Sequence, residues 1–137
     1  MQAAAVELQP LVRSLTIQMR TYSEANRRDF WAAKARRIKE QRARVVYELW
    51  SKFGRTCPLR VPLHQAVQKR QLVVTLTRIA PRSLDSDNLV SSCKGIRDSV
   101  AEWIGVDDAD KRVAWAYGQE RGSKAQHAIR IEFQEPA

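Results

Sequence analysis

The chain has 137 residues, 44% hydrophobic and 28% charged, with a formal net charge of +9. That is the size of one domain, able to bury roughly two thirds of the surface its unfolded form exposes. No apolar run approaches the ~20 residues of a membrane span, the first residues lack the features of a signal peptide, and Cys57 and Cys93 are too few and too far apart for a disulfide framework or a zinc site, so a cytoplasmic protein with no membrane partner is expected.

In chain order, residues 1–13 read as a flexible arm and 14–137 as the domain. Residues 14–20 alternate apolar and polar, the period-two mark of a strand. A turn at 23–26 leads into a long helical pattern from Arg27 to Phe53, with Phe30, Ala33, Ile38, Val45, Leu49 and Phe53 on its core face and Gly54 as its stop. After an irregular stretch containing Pro58 and Pro62, residues 71–79 form the strongest strand, rich in β-branched side chains. Ala80-Pro81-Arg82-Ser83 breaks it. A second helix is expected from Ser86 to Ile104, ending at Gly105, with Leu89, Cys93, Ile96 and Val100 on its apolar stripe. Residues 111–118 and 126–133 both alternate, and the segment between them predicts a hairpin. The order β-α-β-α-β-β makes a mixed α/β domain of the α+β class, one sheet with two helices packed on it.

Charge is unevenly spread. Residues 1–84 carry 17 Lys/Arg against 5 Asp/Glu, whereas residues 85–137 carry 7 against 10. Between positions 27 and 44 only Asp29 and Glu40 interrupt Arg27, Arg28, Lys34, Arg36, Arg37, Lys39, Arg42 and Arg44. A solvated helix face explains most such runs, but a one-sign surface this dense attracts polyphosphate. Arg27, Arg28, Lys34, Arg37 and Arg82 are the expected nucleic-acid contacts.

Six of the seven aspartates fall between residues 85 and 110. Clustered carboxylates repel one another, and hard oxygen ligands suit Mg²⁺ or Mn²⁺. Two readings of the segment stand side by side. In one, Asp85, Asp87 and Asp108 point at a shared cation. In the other, Asp85 and Asp87 cap a helix, and Asp107-Asp108-Ala-Asp110 is a polar turn. An unbroken helix over 86–104 is roughly 28 Å long at 1.5 Å per residue, which keeps Asp87 from Asp108. A loop over 86–92, with the helix starting near Cys93, shortens that gap.

Asp85-Ser-Asp87-Asn88-Leu89, Lys94-Gly-Ile-Arg-Asp98 and Val106-Asp107-Asp108 resemble the motifs of the RusA family of Holliday-junction resolvases, endodeoxyribonucleases of bacteria and phages. The likeness covers about residues 72–133, the preceding strand with its Pro-Arg break included. Four residues, Val90 to Cys93, separate Leu89 from Lys94 where the family pattern has one. The resemblance implies a homodimeric nuclease of branched double-stranded DNA, the four-way junction above all. It implies Mg²⁺ or Mn²⁺ held by Asp85, Asp87 and Asp108, with Lys94 as the catalytic or phosphate-contacting lysine. A structured-DNA-binding protein without cleavage, and a flap or fork nuclease on the same scaffold, are the rival expectations. Trp50, Trp103 and Trp115 are expected in the core, Trp31 is open to stacking on bases, and His64 and His127 are expected to be ordinary surface or strand residues.

Overall fold

The computed structural model describes residues 12–22, 31–55 and 72–134. Its elements are β1 (Val12–Ile17), α1 (Trp31–Phe53), β2 (Leu72–Ala80), α2 (Ser86–Ser92), α3 (Lys94–Ile104), β3 (Val113–Arg121) and β4 (Ala128–Gln134). The chain is a single α+β domain with one mixed four-stranded sheet, in the order β1-β4-β2-β3. The expected strands and helices are all present. The boundary expected at residue 14 moves, because Val12 and Arg13 already pair with β4.

β2, the most apolar strand, takes an inner place, where both of its edges are paired and all of its residues but Val73 and Thr75 are buried. The helices 86–104 form the crossover that lets β3 lie parallel to it. β4 then pairs antiparallel with β2 on the other side, and with β1 beyond. The expected β3–β4 hairpin is therefore absent. Residues 122–127 instead step over the end of β2, and the Gly122 N–H donates to the Ala80 carbonyl at 2.9 Å. Period-two alternation identifies strands but is silent about which strand lies beside which.

The register stacks one apolar face across the sheet. Leu15 and Leu76 both lie opposite Ile131, Val74 lies opposite Phe133, and Leu72 opposite Val113. Val45 and Leu49 of α1, and Leu89, Cys93, Ile96 and Val100 of the following helices, join these residues in one core cluster. At about 25 cal/mol per Å² this burial is the main force holding helices to sheet. The stripe expected for the second helix is thus fully buried, and Cys93 packs in it as a small apolar side chain whose thiol pKa burial raises.

The second helix is neither continuous nor a loop followed by a helix; it breaks at Cys93. In an unbroken helix the Cys93 N–H would donate to the Leu89 carbonyl. Here the Ser92 hydroxyl donates to that carbonyl at 2.7 Å, and the Cys93 N–H turns to Val90 O at 3.1 Å. Gly105 ends α3 in the left-handed region (φ 87°), a conformation that glycine adopts without steric cost.

Candidate functional site: the acidic segment and its basic surroundings

Asp85 is the N-cap of α2, extended at φ −67° and ψ 167°, and its Oδ1 accepts from the Asn88 N–H at 2.9 Å. Asp87 lies in the first turn of the same helix, exposed, with no hydrogen bond or ion pair among the described residues. Leu84, just before them, is clamped by Gln119: its N–H donates to Gln119 Oε1 at 2.8 Å and its carbonyl accepts from Nε2 at 2.7 Å. This fixes the Asp85–Asp87 pair beside the C-terminal ends of β2 and β3.

Asp108 is held elsewhere. Its carbonyl accepts from Arg97 Nη2 at 2.8 Å and from Trp115 Nε1 at 3.1 Å, and its Oδ2 lies 3.5 Å from Arg97 Nε. Arg97 also donates to the Tyr117 hydroxyl at 3.0 Å and stacks over the Trp115 ring. Trp115 lies near the start of β3, whereas Gln119 marks the other end. Four residue steps along the strand separate these anchors, on the order of 13 Å at about 3.3 Å per residue. The Asp108 side chain nevertheless stays 42% exposed, so it is open to an outside partner.

Asp107 and Asp110 are occupied locally. Asp107 accepts from the Ala109 N–H, an Asx turn. Asp110 pairs with Arg112 Nη2 at 2.7 Å, and hydrogen bonds from Arg112 draw its pKa down to about 2. Among the described residues no group of three or more His, Cys, Asp or Glu side chains could hold a metal ion. The shared-cation set expected of Asp85, Asp87 and Asp108 does not assemble among the described residues of the chain. Its first two members fit the helix-start alternative instead, while Asp107 and Asp110 fit the polar turn.

Lys94, the first residue of α3, is brought to the basic helix. With Lys34, Gln41, Ser91 and Asp98 it lines a groove of about 430 Å³ between α1 and α3. Gly95 faces α1 across this groove, where a Cβ would stand 2.7 Å from Gln41 Oε1 and the Gln41 side chain would have to swing aside. Arg37 reaches the Tyr22 ring, its guanidinium 4.9 Å from the centroid. Arg82 enters a second concavity with Arg20, Arg78, Lys124 and His127. Arg27, Arg28, His64 and Cys57 lie outside the described residues.

Trp103 is buried as expected, and Trp115 is half-buried with its N–H satisfied. Trp50 departs from expectation: it is 44% exposed, with Arg55 over its ring. α1 buries only the narrow stripe of Val45 and Leu49 fully, so a neighbour of Leu49 points outward. Trp31 is 81% exposed. Sequence reasoning missed Arg78 and Arg97. The sign of Arg78 was available: it follows Leu72, Val74 and Leu76 in period two, a cation in phase with the core face of an inner strand.

No protein-family model matches the chain, and no curated protein matches it. None of the described helices is long and apolar enough to cross a membrane.

Proposed function

We propose that the chain is an endodeoxyribonuclease of branched DNA, acting on four-way junctions as a homodimer. The reading starts from the resemblance of the segments around Asp85, Lys94 and Asp108 to junction resolvases. The observation that carries it is the groove in which Lys34 of α1 meets Lys94 of α3, on the helix pair that begins at Asp85 and Asp87. Cations in such a groove orient a phosphate backbone without reading its bases. Asp85 and Asp87 are the acids of cleavage in this reading, and Lys94 steadies negative charge developing on the phosphate.

Asp108 is separated from Asp85 and Asp87 in its own protomer, so it joins them across the dimer. A two-fold axis then supplies two sites for opposing strands. Mg²⁺ or Mn²⁺ enters as a dependence to be measured, because among the described residues of one chain no three carboxylates come together to hold the ion.

A second reading, a structured-DNA-binding protein that does not cut, draws on Asp85 serving as a helix cap and Asp108 as the partner of Arg97. Incubating the protein with labelled four-way junction, flap, fork and linear duplex, each with Mg²⁺, Mn²⁺ or chelator, separates the two. The nuclease reading expects paired symmetric nicks in the junction that need the metal. Preferred cutting of flaps or forks would move the substrate assignment, and tight binding without cutting under every condition would favour the second reading.

A further inference from the structure

Arg78 is an anomaly of charge. It sits on the helix-covered face of β2, only 9% exposed, yet no carboxylate among the described residues pairs with it. Its Nε donates to Thr21 Oγ1 at 3.0 Å and its Nη1 to the Arg82 carbonyl at 2.7 Å. These bonds tie the end of the β1 segment to the turn after β2, and they engage two of the five N–H groups of a guanidinium. They leave its charge unanswered. A buried ion is costly unless paired, and burial lowers the Arg78 pKa while Arg20 adds repulsion.

The surroundings deepen the imbalance. Arg78 lines a concavity of about 600 Å³ whose other charged or titratable lining residues are Arg20, Tyr22, Arg82, Lys124 and His127, and among the described residues no carboxylate lines it. Arg20 stacks over Tyr22, and among the described residues no acid pairs with Arg82 or Lys124. Cations that share a pocket without a counter-ion are stabilised by an anion that bridges them, and a guanidinium fork matches phosphate oxygens. The volume lies within the range of small-ligand sites.

We propose that this pocket is a phosphoryl-binding site, with Arg78 at its floor and Arg82 and Lys124 at its rim, and that it seats one phosphate of a nucleic-acid strand next to the Asp85–Asp87 turn. The nucleic-acid source rests on the proposed function; the affinity for a phosphoryl group does not.

Backbone-amide NMR of the full chain separates the two. Inorganic phosphate, titrated against chloride at matched ionic strength, is expected to move the amides of Arg78, Arg82, Lys124 and His127 saturably, with a millimolar Kd. Arg82→Ala combined with Lys124→Ala, both exposed and outside the core, should weaken that binding about fivefold or more. Arg78→Lys keeps the charge and loses the fork, and should weaken it as well. Absence of saturable shifts up to about 50 mM phosphate, or shifts unchanged in the double variant, overturns the site.

A short single strand, with and without a 5′-phosphate, is then added to the phosphate complex. Displacement by both forms assigns the site to backbone phosphates, and displacement by the phosphorylated form alone assigns it to strand ends. No displacement leaves a phosphoryl site and overturns its nucleic-acid source. DNA binding that leaves the four amides unmoved likewise overturns the nucleic-acid source of this site, while the nucleic-acid reading of the chain stands.

Discussion

Arg97 joins α3 to β3 through a hydroxyl, a carbonyl, a carboxylate and a ring, all from side chains and loops on one end of the sheet. Arg97→Ala leaves the Tyr117 hydroxyl and the Asp108 carbonyl each without one partner, and should cost about 2 kcal/mol in urea unfolding. Lysine should not rescue it, because a point charge cannot serve three acceptors in a plane. Asp110 makes a different kind of prediction. Its pKa is depressed to about 2 from 3.8, so its pairing with Arg112 stabilises the fold fully above about pH 4. That contribution is lost as pH falls through 2. Asp110→Asn should therefore cost roughly 0.5–1 kcal/mol at pH 7, a modest figure for a pair near solvent, and the stability curves of variant and parent should converge at about pH 2.

At the level of elements, α1 and α3 present Lys34 and Lys94 to one groove. If both contact phosphate, Lys34→Ala and Lys94→Ala should each reduce the slope of log K against log salt by about 1, with equal loss for all sequences. An unchanged slope would make these lysines solvated surface. Much of the element plan could be read directly. Apolar spacing found the buried stripe of Leu89, Cys93, Ile96 and Val100, and glycines marked the ends at Gly54 and Gly105. What escaped has physical reasons. The break at Cys93 turns on one hydroxyl, that of Ser92, taking a backbone acceptor. The missing hairpin turns on competition for edges, in which the most apolar strand wins an inner place. Asp85 could be read equally as cap or as ligand because the same carboxylate serves both; the Asn88 N–H that it accepts was not visible in the sequence. The buried charge of Arg78 required knowing which face of β2 the helices cover.

For the whole molecule, the separation of Asp108 from Asp85 and Asp87 makes dimerisation a condition of the proposed chemistry. Mixed protomers test that. Asp87→Asn and Asp108→Asn homodimers should each be inactive. Mixed, they form heterodimers with one intact composite site and one doubly altered site, so junctions should gain single nicks instead of paired ones. Acids acting within one protomer would leave both sites of the mixture defective.

The most direct trial of cleavage by the acidic segment compares the parent chain with Asp87→Asn on a labelled mobile four-way junction, reading cutting and binding in the same samples. The account predicts metal-dependent paired nicks that fall at least about a hundredfold in the variant, with binding equal or tighter because a negative charge is gone. Near-parental cutting by Asp87→Asn, or a parent that binds the junction and never cuts it, would contradict the account.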